Sequence, residues 1–253
     1  MYLAGINFTL HFRAVTGHLD YFKDYEWRFF TMILLLATAA LTALNLIGGT
    51  YALNGSGIEE AFRDGLFQSV SIGTTTGFVT ADYEIWIPAA QMVIFLLFFT
   101  GGMAGSTGGG MKSVRILLLM KQTAMELRKH LHPRAVLVAR VGKRAVKQEV
   151  LANVIGFVLL YGLLWVAGAM VLSLLGLDFL TSLGASAATV GNIGPGLGGV
   201  GPTDNYGWMS DATLTVMSFL MLVGRLEIYT VLLLFSPALW RQARHSAPHR
   251  VKR

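Results

Sequence analysis

The sequence predicts an all-α membrane protein built from two copies of one unit: span, half-helix, glycine turn, span. Composition leads there first. The 253 residues are 54% hydrophobic and 13% charged, with a mean hydropathy of +0.57. Soluble domains carry about a quarter charged residues, so most of this chain must meet lipid or other spans. The charges are also sorted along the chain. Of 20 Lys and Arg, three precede position 30, ten lie between 112 and 147 and five follow 240, leaving Arg63 and Arg225. The acids Glu59, Glu60, Asp64, Asp82, Glu84, Asp178, Asp204 and Asp211 fill the gaps. Basic residues mark the cytoplasmic side, so the three basic blocks share one side and the acidic connections lie on the other. Finally, two apolar segments too brief to cross a bilayer, 61–72 and 179–188, each run into a glycine turn and then a longer apolar segment.

The same observations exclude other classes. The net charge of +6 is a topology signal, so no nucleic-acid partner is expected. Cysteine is absent, which removes disulfides and thiolate metal sites. No His/Asp/Glu cluster has metal-ligand spacing, and Ser106 and Ser186 have no nearby histidine to activate them, so no enzyme is expected. The first thirty residues lack the compact apolar region and small-residue site of a cleavable signal.

Taken in order, residues 1–12 read as the end of a span that begins earlier, followed by a basic, aromatic stretch to Arg28. The uncharged run 29–51 is long enough for one crossing. An acidic loop, the short segment 61–72 and the first turn follow. Pro88 suits the first turn of a helix, and 89–100 begins a second span that the glycine block 101–110 interrupts. Residues 112–149 read as a cytoplasmic basic helix with a break near Pro133. A third span at 151–175, the short segment 179–188, the second turn and a long final span at 207–240 complete the chain. The divisions are 1–28, 29–121 (repeat one), 122–149 (basic linker) and 150–253 (repeat two). Gly77 and Gly191 mark equivalent places 114 residues apart, an internal repeat of the kind that builds membrane transport proteins. Trp86, Trp208 and Trp240 read as interface anchors.

Three features carry chemistry. Irregular backbone inside a membrane is tolerated only where protein buries it or it lines a water-filled path. A Thr-x-Gly turn between spans is the pattern of a cation filter, in which backbone carbonyls replace the hydration shell of an ion such as K+. The carbonyls of Thr75, Thr76, Gly77 and Phe78, and of Thr189, Val190, Gly191 and Asn192, are the expected K+ ligands. The half-helices direct their negative C-terminal ends at the same place. The alternative is that each glycine merely caps its half-helix.

The glycine block has six glycines in ten residues, costing a straight helix about 1 kcal/mol each. The four-residue spacing of Gly101, Gly105 and Gly109 would allow close helix packing. A phosphate-binding loop does not fit, because Met111 separates Gly110 from Lys112 and no strand precedes it. The favoured reading is a loop inside the membrane that serves as a gate. It comprises Gly101, Gly102, Gly105, Ser106, Thr107, Gly108, Gly109 and Gly110 with Lys112. Arg225 falls near mid-bilayer, where a charge is costly and faces a partner or an aqueous path. Glu227 lies about 200° round the helix from it, so the two cannot pair unless the helix breaks. Arg225 is expected to act as a barrier to cation flow below the filter, or else to pair elsewhere.

At these residues the chain resembles the membrane subunit of the Trk/Ktr/HKT potassium transporter superfamily, closest to the TrkH type. The carrying motifs are Gln68-Ser69-Val70-Ser71 running into Gly73-Thr74-Thr75-Thr76-Gly77-Phe78, the run from Phe99 to Thr107, Val190-Gly191-Asn192-Ile193-Gly194-Pro195-Gly196, and Gly224-Arg225-Leu226-Glu227. The resemblance implies potassium uptake across the inner membrane, with both ends cytoplasmic and no organic cofactor. It also implies a homodimer gated by a TrkA-type cytoplasmic nucleotide-binding ring. The family carries four repeats, whereas this chain has two. It is therefore expected to be incomplete alone, needing a longer parent chain or a separately made first half. A non-conducting membrane scaffold, or a carrier for another solute, is the alternative function.

Overall fold

The computed structural model describes residues 1–132, 140–142, 144–226, 228–234 and 237. Among them the chain is mostly helical. The α-helices are α1 (Phe8–Val15), α2 (Tyr25–Ile47), α3 (Gly55–Gly73), α4 (Pro88–Leu97), α5 (Ser113–Leu131), α6 (Gln148–Leu174), α7 (Phe179–Gly191), α8 (Asp211–Arg225) and α9 (Ile228–Leu234). A two-residue ladder pairs β1 (Arg140–Val141) with β2 (Arg144–Ala145), antiparallel.

Two helices, α2 and α6, are long and apolar enough to cross a membrane, with mean hydropathies of 2.1 and 2.3. Their outer faces are as apolar as their inner ones: Leu35 and Leu36 on α2, and Leu159, Leu163 and Met170 on α6, are exposed. A helix apolar all round is built for a nonpolar surrounding.

Side-chain caps set the helix starts. Asp24 accepts the Trp27 N–H at 2.8 Å to open α2, and Asn54 accepts the Gly57 N–H at 2.8 Å to open α3. Asp178 accepts the Thr181 N–H at 3.1 Å to open α7. The Asn54 cap starts α3 at residue 55, six positions before the apolar segment expected at 61–72. Gly65 lets α3 lie close on α2, against Thr42 Oγ1 and Leu41 Cβ. The main core holds Leu41, Ile72, Tyr83, Trp86, Ile94 and Phe98 of the first repeat together with Ala187, Ile193 and Leu197 of the second. The two repeats thus share one interior.

Several expectations are corrected here. Residues 1–12 do not form the end of one helix: a 3-10 turn at Leu3–Gly5 precedes α1, which Asn7 caps. The stretch 207–240 is not one rod, because α8 ends at Arg225 and α9 starts at Ile228. The expected boundary at 121/122 falls inside α5, and the linker beyond it contains the β1–β2 ladder. Trp86 is 2% exposed and belongs to the core, not to an interface. Pro133, Glu227, Trp240 and the basic tail lie outside the described residues.

Candidate functional site

The first turn begins where α3 ends. Thr75 N–H reaches Ile72 O at 2.9 Å and Thr76 N–H reaches Ser71 O at 2.8 Å, with Thr75 at φ +56°. The second turn repeats this pattern. Asn192 N–H reaches Thr189 O at 3.1 Å and Ile193 N–H reaches Ala188 O at 2.9 Å, with Asn192 at φ +53°. Thr75 therefore matches Asn192 and Gly77 matches Gly194, both glycines having positive φ (+77° and +118°). The repeat offset is 117 (192 − 75), not 114.

The shift of three corrects the second half of the expected ligand set. Thr189, Val190 and Gly191 are the last residues of α7. Thr189 O is taken by the Asn192 N–H. Val190 O and Gly191 O are seated against Gly224 and Gly109, where a Cβ would lie 2.0 and 2.4 Å away respectively. α7 continues through Gly191 and turns left-handed only at Asn192, a residue type that tolerates that conformation.

The turns touch each other. A Cβ on Gly77 would sit 2.1 Å from Ile193 O and 3.2 Å from Pro195 Cδ, so this position needs glycine for space as well as for φ. Some carbonyls already have partners. Phe78 O accepts the Ser71 hydroxyl at 2.5 Å, Gly194 O accepts the Tyr206 hydroxyl at 2.6 Å, and Gly196 O accepts the Tyr83 hydroxyl at 2.7 Å. Burial pushes the Tyr206 phenol up to about 12, so it remains a donor.

Between α4 and α5, residues 101–112 are irregular. The ends of this loop meet: Gly101 lies against Gly109 O and Gly110, and Ser113 N–H donates to Gly102 O at 3.0 Å. Residues 4–8 run alongside. Met103 N–H donates to Gly5 O at 2.8 Å, Thr107 N–H to Ala4 O at 3.3 Å, and Phe8 N–H to Gly105 O at 3.1 Å. Glu26 Oε1 accepts both the Ala104 N–H at 2.7 Å and the Ser113 hydroxyl at 2.9 Å. Lys112 Nζ donates to Gly108 O. Thr75 Oγ1 accepts the Gly109 N–H at 2.5 Å, tying loop to turn.

A cavity of about 290 Å³ brings Ser106, Thr107, Gly108, Gly109, Gly110 and Lys112 together with Arg115, Phe157, Gly224 and Arg225. Arg115 stacks its guanidinium 3.7 Å over the Phe157 ring. Gly101, Gly102 and Gly105 do not line the cavity; they pack on the loop itself, on Gly5 and on Asn7. Arg225 is exposed at the C-terminus of α8, beside the break.

Sequence reasoning missed Glu26, Ser71, Tyr83, Glu84, Tyr206 and the 4–8 strap. A carboxylate at the mouth of an uncharged span was the one available signal, and it pointed to Glu26. Glu84 Oε1 accepts the Gly198 N–H at 2.6 Å. Burial pushes its carboxyl up, and that hydrogen bond partly offsets the rise.

With this geometry in place, the chain was compared with known proteins. It matches the TrkH family profile, described as a cation transport protein, over residues 1–242. It is 42% identical over 243 residues to the Trk system potassium uptake protein TrkH of Vibrio parahaemolyticus, covering 94% of this chain and 49% of that protein. The Trk system potassium uptake protein TrkH of Escherichia coli strain K12 is 36% identical over 242 residues, covering 95% and 49%. The crystal structure of the potassium transporter TrkH from Vibrio parahaemolyticus matches with a TM-score of 0.87 at 42% identity, over 94% of this chain and 51% of that one. The chain spans about half the length of the curated relatives it matches.

Proposed function

The chain belongs to the TrkH family of cation transport proteins, and from that premise we propose that it supplies two of the pore segments of a potassium uptake system. The observation that carries the reading is the meeting of the two turns, with Ile193 O against Gly77 at the C-terminal ends of α3 and α7. Helix C-termini carry partial negative charge, and main-chain oxygens of suitable field strength can replace the water around K+. The carbonyls of Thr75, Thr76 and Gly77 and of Asn192 are the proposed ligands, while Ile193 O is seated against Gly77 and holds the two turns together. Those of Phe78 and Gly194 also serve as acceptors for Ser71 and Tyr206.

Below the turns, the glycine loop forms the gate, and Lys112 and Arg225 place positive charge beside it. A cation passing there meets Coulomb repulsion that the low-dielectric surroundings strengthen. Two turns make half of a ring, so the conducting unit includes a further pair. That pair comes from a longer parent chain or from a separate first half. The unit sits in the inner membrane with both ends cytoplasmic, as a homodimer regulated by a TrkA-type nucleotide-binding ring.

The test is K+ uptake in a potassium-uptake-deficient strain. The chain is expressed with and without the N-terminal half of the Vibrio parahaemolyticus relative. Growth at low K+ with the pair is the expected result. No rescue in either arm, with both chains in the membrane, overturns the proposal.

A further inference from the structure

The two turns are buttressed in different ways. The first is held largely by its own helix: Ser71 and Thr74 on α3 and its cap donate hydroxyls to Phe78 O and Val70 O, and Gln68 Nε2 donates to Ala81 O at 3.0 Å. The second leads into a stretch with glycine at 194, 196, 198 and 199. Such a stretch loses much conformational freedom when ordered, so its shape must be imposed by partners.

Thr181, Tyr206 and Trp208 of its own repeat hold Gly194 and Gly199, and the first repeat holds Gly196 and Gly198 between them. Tyr83, fully buried, crosses 113 positions of sequence to donate its hydroxyl to Gly196 O at 2.7 Å. Its neighbour Glu84 accepts the Gly198 N–H at 2.6 Å. The Glu84 carboxylate also covers Gly201, where a Cβ would sit 2.4 Å away. The Gly196 N–H closes onto Val200 O at 2.7 Å, which encloses the Gly198 anchor in a short loop. A donor fixed behind a carbonyl orients its plane, and a hydrogen bond to a carboxylate is among the stronger ones.

We infer that Tyr83 and Glu84 are positioning residues that set the ion preference of the second turn from the outer loop of the first repeat. The inference rests on the transport reading above. A filter that discriminates by the direction and field of its carbonyls loses discrimination when the segment behind them slackens, even where the protein stays folded.

The experiment uses the full chain paired with the N-terminal half of the Vibrio parahaemolyticus relative. It measures Rb+ uptake in competition with Na+, alongside melting temperature and membrane abundance. Tyr83→Phe removes one hydroxyl, and Glu84→Ala removes the acceptor. Each is expected to lower the preference for Rb+ over Na+ by about fivefold, the equivalent of one ordinary hydrogen bond. Glu84→Gln keeps an acceptor oxygen and is expected to retain the wild-type preference. If Tyr83→Phe does not reach the membrane, the Glu84→Ala and Glu84→Gln pair carries the test. A wild-type preference in Tyr83→Phe and Glu84→Ala, or an equal loss in Glu84→Gln, overturns this inference alone. A wild-type pair that takes up no Rb+ overturns the transport reading and this inference with it.

Discussion

Replacing Gly77 by alanine probes the contact between the turns directly. The new Cβ would lie 2.1 Å from Ile193 O, whereas ordinary contact begins at 3.4 Å, so the turns must part by about 1.3 Å (3.4 − 2.1). The backbone at φ +77° adds about 1–2 kcal/mol for a residue with a Cβ. Moving Ile193 O by that distance shifts the peptide unit that follows the proposed ligand Asn192 and parts the two turns. Rb+ uptake by the paired chains is expected to fall by at least tenfold, about 1.4 kcal/mol, at matched abundance. Alanine at Gly194 meets Gly77 Cα at a comfortable 3.6 Å but keeps the strained φ of +118°, so its effect is smaller. Alanine at Gly191 stays helical and meets Ile193 Cδ1 at 3.0 Å and Phe98 O at 3.3 Å, and is the mildest of the three. Uptake above half of wild type in Gly77→Ala, or a greater loss at Gly191 than at Gly77, would refute the reasoning.

Other perturbations follow from the same contacts. Asp178→Ala removes the α7 cap and is expected to cost about 1 kcal/mol in a detergent melt at neutral pH. Its hydrogen bond to Thr181 holds the Asp178 carboxyl below the usual range. The cap contribution is therefore complete above the unfolded value and is lost as pH falls through the lower folded one, so wild type and variant should converge in acid. Glu26→Ala leaves the Ala104 N–H and the Ser113 hydroxyl without their acceptor. Hydrogen exchange across 101–110 should then quicken by about tenfold, and unchanged protection would refute the anchoring role. Arg225→Ala is expected to raise leak conductance through the paired chains; unchanged current with lower stability would favour a structural role instead.

The long helices were legible because nothing in them interrupts the apolar run: 29–51 and 151–175 correspond to α2 and α6 within a few residues. Pro88 and the glycine block marked where α4 starts and where the helix fails. The second turn was misread by three residues for a specific reason. Thr189-Val190-Gly191 copies the Thr75-Thr76-Gly77 pattern, yet the chain turns left-handed at Asn192. No spacing rule reveals which of two nearby positions ends a helix. The break after Arg225 has no proline, so a hydropathy reading runs through it. Tyr83 and Glu84 were invisible because their partners lie more than a hundred residues away. Pairing at that distance is a property of the fold alone.

The strap at residues 4–8 has a mechanical corollary. Three main-chain links join it to the glycine loop, at Gly5, Ala4 and Phe8, each contributing about 1 kcal/mol. They join positions 4, 5 and 8 of the strap to positions 107, 103 and 105 of the loop. A small tug on the polypeptide ahead of α1 is thereby delivered to the peptide units of Met103, Gly105 and Thr107. The glycine loop and the leading stretch of chain are thus joined through their main chains.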